Sequence, residues 1–504
     1  MNIMEAGKVP MSREEYLIAV YDIGKTNKKF SLFTSDLKPV YGTSMRIEEK
    51  TIGGILCDDI GAIVGWMRRV LDEIPRREDV RAIAITTFGA TGVLLDEKGE
   101  LVFPVVSYNH EIEPSIREKF YETFGSPEEL YLRTGTPPYG QLLNFGIQLY
   151  WHREVRPRVY ERSKNILFLP QYLSFVMTEV KSVEITSVGC HTYLYDIVDE
   201  DWSHVARDLD VPSRFPETFT EVWRPIGRAK WLEEALVTTG IHDSNASLLP
   251  FLLTEESGNF VLASTGTWCV FMCPGLAYEP SKDDLYRDVL YYIDAFSRPI
   301  RSSRFKGGFE FDHYMNLIMR AFRLGRGIID LDVDVRLLKN ILRRKEVFIV
   351  PTLTPGSGQF PRSKGRIIGS NIFFSDLRLA YHVLNLSMAI QTYFAVKAIF
   401  KRRSLKGLRM FVVGGFARNR LYLKLLATIF RDAEVLRAGY TDLTSLGAAI
   451  TAKAAYEDVS PCDIDRELIE SIIAERRVKP IDVEENLLME YIDEFEHHCQ
   501  SEKW

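Results

Sequence analysis

The sequence predicts an α/β protein made of two modules of the same order, and three observations carry that prediction. Apolar runs of strand length alternate with segments of helical period, the pattern of strands buried under helices. The order strand, strand, strand, helix, strand, helix at the start of the chain returns after residue 259, with a joint near residues 250–258. The halves agree in order and not in residues, so they predict a duplicated α/β unit with a ligand cleft between its copies rather than a short repeat.

The opening stretch, residues 16–34 (YLIAVYDIGKTNKKFSLFT), sets the pattern. Leu17, Ile18, Ala19 and Val20 form a continuous apolar run, and Asp22-Ile23-Gly24 interrupts it. Phe30, Leu32 and Phe33 resume it across a turn holding Lys25, Thr26, Asn27, Lys28 and Lys29. Glycine lets backbone amides converge on an anion, Thr and Asn add neutral donors, the lysines add charge, and an Asp at a strand end can hold hydrated magnesium. A basic turn that is merely solvated fits the same residues. Gly24-Lys25-Thr26 copies the end of a P-loop, but Ala19 stands where that motif needs its first glycine and the chain continues as a strand, so a P-loop is excluded.

Residues 39–47 read as a third strand, and Ile60, Ile63, Val64, Met67, Val70 and Leu71 place a helix over 59–74. Residues 80–87 (VRAIAITT) are a buried strand leading into Phe88-Gly89-Ala90-Thr91-Gly92, followed by a hairpin over 93–103. From 116 to about 175 the pattern turns helical, broken at Pro137-Pro138, Pro157 and Pro170. The second module begins with strands at 260–264 and 268–272 about the turn Thr265-Gly266-Thr267. It continues with a strand at 289–296, a helix at 311–322, a strand at 347–350 and a long helix over 375–402. Residues 408–413 (LRMFVV) form a strand that opens through Gly414-Gly415 into a helix at 418–430. A short strand at 433–436 and an Ala-rich helix at 444–456 close the module. The expected domains are an extension at 1–15, a first domain at 16–250, a second at 251–456 and a charged helical tail at 457–504.

Composition narrows the function classes. An apolar fraction of 46% with 26% charged residues is that of a globular protein, and a net charge of -6 gives no electrostatic case for nucleic acid. The N-terminus carries charges and a proline where a secretory signal needs an apolar core, and no uninterrupted apolar run reaches the roughly 18 residues of a membrane span. Six cysteines without a C-x-x-C pair indicate neither a zinc site nor a disulfide framework and suit a reducing cytoplasm. Small-molecule partners are expected, with neither nucleic acid nor membrane.

Three further loops hold candidate chemistry. Thr265-Gly266-Thr267 fits an ordinary β-turn, and its hydroxyls and amides equally suit the terminal phosphates of a nucleotide. Gly414-Gly415 between strand and helix fits a tight crossing or a set of amides presented to an anion. Asp243, in Gly240-Ile241-His242-Asp243-Ser244, fits a helix N-cap before the apolar run 248–253, or a base that takes a hydroxyl proton during phosphoryl transfer.

Read together over about residues 16–456, these loops resemble the FGGY family of carbohydrate kinases. Asp22-Ile23-Gly24-Lys25-Thr26-Asn27 is similar to the family's first phosphate loop, with Lys29 where members carry a basic residue. Thr87-Phe88-Gly89 resembles the T-W-G element of the rhamnulokinase branch, and His242-Asp243-Ser244 falls where that branch and the fuculokinases have H-D-T. Ser264-Thr265-Gly266-Thr267-Trp268 is similar to the second phosphate loop, S-S-G-T-W. Val413-Gly414-Gly415 with Asn419, and then Thr444-Ser445-Leu446-Gly447-Ala448-Ala449, resemble the adenosine region and its closing helix.

The resemblance implies two duplicated actin/hexokinase-like (ribonuclease H-like) domains around an ATP cleft, and a kinase acting on a ketose of the rhamnulose or fuculose type. It implies Asp243 as catalytic base and Asp22 as the residue that organises Mg2+ through water. Gly24, Lys25, Thr26, Asn27, Lys29, Thr265, Gly266, Thr267, Gly414, Gly415 and Asn419 would attend ATP and its phosphates. Phe88, Gly89, His110, His242, Asp243 and Ser244 would face the sugar. A xylulose, another ketose or a polyol as acceptor, or a non-catalytic sensor of the same fold, are the alternatives it leaves, and a homodimer is compatible with it. Two departures stand out: Tyr108-Asn109-His110-Glu111 puts His110 where many members have an acid, exchanging an acceptor-only group for one that can donate, and Phe416 replaces the third glycine of G-G-G. Arg304 and Asp312, after the second phosphate turn, fit either ligand.

Overall fold

The computed structural model describes residues 16–138, 142–256, 258–325 and 331–501, so the expected extension at 1–15 lies outside the described residues. The fold is α/β, in two compact units that the chain visits more than once. The first takes the described residues up to Thr254 together with Tyr291–Pro299 and Asp442–Ile473; the second takes Glu255–Leu290, Ile300–Thr441 and the described part of Ala474–Trp504.

The first unit is built on a mixed sheet whose centre is the pair Leu17–Ile23 and Val80–Thr87, running parallel, with Asn27–Thr34 and Pro39–Arg46 added antiparallel on one side. Every residue of Leu17–Ile23 is buried, which explains its unbroken apolar run: a central strand covered on both faces has no solvent face to alternate with. The helix Ile60–Glu73 starts at Asp59, whose carboxylate accepts from the Ala62 amide, and buries Ile60, Ile63, Trp66, Met67, Val70 and Leu71 on its apolar stripe. On the other side of the sheet lie Leu232–Thr238 and its antiparallel partner Pro225–Ala229, two strands whose mixed polarity hid them from sequence reading. The expected strand at 101–103 is a single bridge between Leu95 and Leu101.

The helix Leu443–Glu457, the last of the second expected module, packs in the first unit against Asp243–Thr254. Their approach is too close for side chains: a Cβ on Gly447 would stand 1.7 Å from the Ala246 carbonyl oxygen.

The second unit repeats the plan. Its sheet runs Pro299–Phe305, Cys269–Pro274, Phe260–Thr265, Arg409–Gly414, Glu434–Ala438 and Glu475–Arg477, with Phe260–Thr265 parallel to Arg409–Gly414 at the centre. The helix Leu377–Phe400 is long and apolar enough to cross a membrane by composition, but 89% of its most apolar stretch is buried in this unit's core. Its polar residues are satisfied there: Asn385 Nδ2 donates to the Tyr381 carbonyl, and Thr392 and Tyr422 share a hydrogen bond. The charged tail is structural too, since Tyr491 in Glu485–Ser501 stacks on Phe348 and donates to the Val347 carbonyl.

The expected helix at 311–322 begins earlier, at Gly307. Two glycines look like a loop in sequence, yet they are there for contact: a Cβ on Gly308 would lie 2.1 Å from the Gly266 carbonyl oxygen. The expected strand at 289–296 ends at Ile293.

Candidate active site

Strand register puts the first unit's candidate residues together. Asp22 lies opposite Thr86 and Ile23 opposite Thr87 in the central parallel pair, while the short strand Ile241–His242 pairs with the same two threonines. Asp22, Phe88-Gly89 and His242-Asp243 therefore leave neighbouring strand ends on one edge of the sheet. In the hairpin, Asp22 is the cross-strand partner of Lys29.

Asp22 is buried, and Lys29 Nζ stands 3.2 Å from its Oδ2 and 3.4 Å from Asp442 Oδ1, at the start of Leu443–Glu457. Burial pushes the Asp22 carboxyl up to about 6; Lys29 opposes that shift, and the charges of Asp442 and Asp243 add to it. Burial also works against the charge on Lys29, but Asp22 and Asp442 outweigh it and raise its pKa. The three groups thus hold one lysine between two carboxylates.

Asp243 is the first residue of the helix Asp243–Thr254, with a third of its side-chain surface open. The protein packed around it pushes its carboxyl up to about 6, against bonds from Ser244. His242 is buried, and desolvation pushes its ring down to about 4, so it is neutral at pH 7. Asn245 Nδ2 faces His242 Nδ1 at 3.4 Å, Cys190 Sγ faces Nε2 at 3.7 Å, and Nε2 also stands 3.2 Å from Asp243 Oδ1. The His242 amide donates to Thr186 Oγ1, and the Thr186 amide in turn donates to the fully buried Glu184. Gly89 leaves room for this ring: a Cβ there would lie 3.0 Å from His242 Nε2.

Lys25, expected among the phosphate ligands, has a different geometry. Its ammonium bonds both carboxylate oxygens of Asp58, at 2.7 and 2.9 Å, and stands 2.8 Å from Glu49 Oε1. It also lies 4.7 Å from the ring centre of Phe88 and 4.4 Å from that of Tyr108. Lys28 is buried and donates to the Lys25 and Ile47 carbonyls. Thr26 and Asn27 are exposed on the turn, and Gly24 admits the tight return, since a Cβ would stand 2.8 Å from the Asn27 carbonyl oxygen. His110 accepts from the Leu56 amide on Nδ1 and packs on Trp151; burial lowers its pKa.

In the second unit, Thr265, Gly266, Thr267, Gly415 and Asn419 line a cavity of about 390 Å³. Phe311, Tyr381 and Phe416 supply its aromatic walls, with Asp312 and Arg418 as charged lining. Gly266 and Thr267 are exposed. Thr265 is not: its hydroxyl donates to the Val413 carbonyl and accepts from the Phe416 amide, tying the two candidate turns together. Gly414 has φ 82° and ψ -150°, and its Cα lies so close to the neighbouring strand that a Cβ would stand 2.1 Å from the Thr265 carbonyl oxygen. Asn419 caps Arg420–Ile429 through the Tyr422 amide and donates to Asn385 Oδ1. Arg304 is buried, bonded to Asp288 and stacked over Trp268; Asp312 is the one of that pair found in the cavity lining.

Sequence reading missed Glu49, Asp58, Asp442, Gly308 and Tyr381. Each reaches its place by tertiary contact, and no local motif marks them.

Two family models cover most of the chain: FGGY family of carbohydrate kinases, N-terminal domain, at residues 17–224, and Carbohydrate kinase FGGY, C-terminal domain, at 257–460. An L-fuculokinase of Salmonella typhi is 29% identical over 202 residues, 38% of this chain and 41% of that protein. A rhamnulokinase of Halalkalibacterium halodurans is 26% identical over 259 residues, 49% of this chain and 52% of that protein. These alignments thus span about half or less of the curated relatives' own length. The crystal structure of a carbohydrate kinase from Novosphingobium aromaticivorans is similar at TM-score 0.78 and 25% identity, covering 96% of this chain and 98% of that one.

Proposed function

Because this chain belongs to the FGGY family of carbohydrate kinases, we propose that it transfers the terminal phosphoryl group of ATP to a sugar. The acceptor we assign is the primary hydroxyl of a neutral ketose of the rhamnulose or fuculose type, in a cytoplasmic setting. The observation that carries the reading is the His242-Asp243 pair at the strand end beside Phe88-Gly89. There a neutral imidazole stands 3.2 Å from a carboxylate whose pKa has been raised toward working pH.

Asp243 takes the proton of the attacking hydroxyl as that oxygen bonds to the terminal phosphorus and the bond to the ADP oxygen breaks. The His242 ring lies against the carboxylate, and Ser244 Oγ donates to the same oxygen from 3.3 Å. In this reading amides of the Gly24–Asn27 turn are the first unit's phosphate donors, with Lys29 as the nearby charge. Gly415, Asn419 and the aromatic walls of the second unit's cavity suit the nucleoside.

Magnesium fits only through water. Among the described residues no three His, Cys, Asp or Glu side chains gather as a metal cage. Asp22 and Asp442, both facing Lys29, suit a hydrated ion that the nucleotide phosphates bring with them. Bound there, it would neutralise phosphate charge.

The test is ADP release measured over a panel of ketoses, aldoses and polyols, with Asp243→Asn as control. ADP release dependent on one neutral sugar supports the proposal and names the acceptor, whether rhamnulose-like, a xylulose or a polyol. A sensor of the same fold would bind and release no ADP.

A further inference from the structure

The Lys25 cluster bears on which acceptors are taken. Its ammonium bonds Asp58 Oδ1 and Oδ2 and pairs with Glu49 Oε1, so two carboxylates already balance the charge of Lys25. Lys28, beneath it, is buried and held by two backbone carbonyls. Asp58 is buried as well, with both oxygens used. Glu49 differs. Its Oε1 takes Lys25, the Ser107 hydroxyl and Asn109 Nδ2, whereas among the described residues Oε2 has Asn109 Nδ2 alone, at 3.5 Å, and the side chain is 23% exposed. Burial pushes this carboxyl up, but Lys25, Ser107 and Asn109 outweigh it and hold the group below the usual range, so Glu49 is an acceptor at every working pH.

The cluster adjoins the proposed base. The Phe88 and Tyr108 rings meet edge to face at 5.7 Å with Lys25 Nζ lying over both, and Tyr108 feels the charges of Asp243, Asp58 and Glu49 together. Phe88 directly follows the strand that pairs with His242.

Resting on the sugar-kinase reading, we propose that Glu49, held by Lys25, Ser107 and Asn109, accepts a hydroxyl of the bound sugar and thereby selects neutral polyhydroxyl acceptors over aldonates. A neutral sugar brings O–H donors to Oε2. An aldonate brings a second carboxylate to a carboxylate whose neighbouring lysine is already paired with Asp58. Lys25 is then a positioning residue on the acceptor side. A site built around hydroxyl donation discriminates strongly, because a ligand without the donor leaves the carboxylate unpaired.

Calorimetric titration of the full chain with a neutral ketose, its polyol and an aldonate, beside turnover and KM for ATP, tests this in wild type and in Glu49→Gln. Support would be wild-type preference for the neutral sugars with, in Glu49→Gln, neutral-sugar affinity about 10- to 100-fold weaker, a narrowed gap to the aldonate, a cooperative melt retained and an unchanged KM for ATP. Asn109→Ala, which frees Glu49 from one tether, is expected to weaken the neutral sugar to a smaller degree. Wild-type turnover of neutral sugars with Glu49→Gln binding them equally well would overturn the inference and leave the kinase reading standing, as would equal wild-type use of the aldonate. Absence of sugar binding and of ADP release across the panel would overturn both.

Discussion

His242 Nε2 stands 3.2 Å from Asp243 Oδ1, and Asn245 Nδ2 holds the other ring nitrogen at 3.4 Å. The buried ring is neutral at pH 7 and lays a polar edge beside the carboxylate, whose charged form Ser244 and Lys29 favour against burial. His242→Leu replaces that polar edge by an apolar one, so the acid limb of the pH–rate profile is expected to move to higher pH and turnover at pH 7 to fall about tenfold or more. His242→Gln, which keeps a polar group there, is expected to stay closer to wild type. A profile that does not move in His242→Leu would deny the histidine its part.

Asp243 itself makes the larger demand. Asp243→Asn keeps the shape and the oxygen facing His242 but cannot take a proton. Turnover with the best acceptor is expected to drop by about 10²- to 10⁴-fold, with KM for ATP little changed. Turnover within a few-fold of wild type would remove Asp243 from the mechanism.

The raised carboxyls give pH signatures of opposite sign for rate and stability. Asp22 and Asp243 both sit at about 6, and both act as carboxylates in the proposed reaction, so kcat/KM is expected to fall as pH drops through about 6. For stability, the folded Asp243 binds its proton more tightly than the unfolded group at 3.8. The stabilisation it lends is full below that value and is lost as pH rises through about 6. Asp243→Asn, permanently neutral, is therefore expected to melt higher than wild type at pH 7 to 8, with the difference vanishing near pH 4. Equal melting temperatures at both ends would show that the carboxyl is not strained by its surroundings.

Lys29 is shared by Asp22 and Asp442, whose carboxylates would otherwise face each other without a cation. Lys29→Met is expected to push the Asp22 carboxyl further up and to raise the magnesium concentration needed for half-maximal turnover, while sugar KM stays near wild type. An unchanged magnesium dependence would assign the metal to other residues.

Much of this was legible in the chain because the relevant signals were local. The buried run 17–20, the strand Val80–Thr87 and the helix beginning at Asp59 follow from periodicity and capping, which neighbours in sequence decide. Asp22 opposite Lys29 follows from a hairpin. What escaped was set by tertiary contact. Lys25 looked like phosphate charge because its neighbours are basic, but Asp58, 33 residues on, claims it. Asp442 reaches Lys29 across 413 residues, and Gly308 opens a helix because Gly266 leaves no room for a side chain. Pattern carries no signal for such pairs.

The glycine at 414 offers a test of the second unit that is independent of the base. Its φ of 82° and ψ of -150° belong to a region that residues with a Cβ rarely enter, and the added atom would stand 2.1 Å from the Thr265 carbonyl oxygen. Neither partner can yield cheaply. Thr265 is a buried strand residue whose hydroxyl bonds Val413 and Phe416, so displacing it moves Gly266-Thr267 and Gly415 together. Gly414→Ala is therefore expected to raise KM for ATP by an order of magnitude or more and to lower the melting temperature, whereas sugar binding, read by calorimetry, should persist because the residues proposed for it lie in the first unit. Gly415→Ala is the matched control: its Cβ would meet the same oxygen at 3.6 Å, an ordinary contact, and the structure should tolerate it. Equal behaviour of the two variants would mean that the 414 crossing is not what shapes the nucleotide cavity.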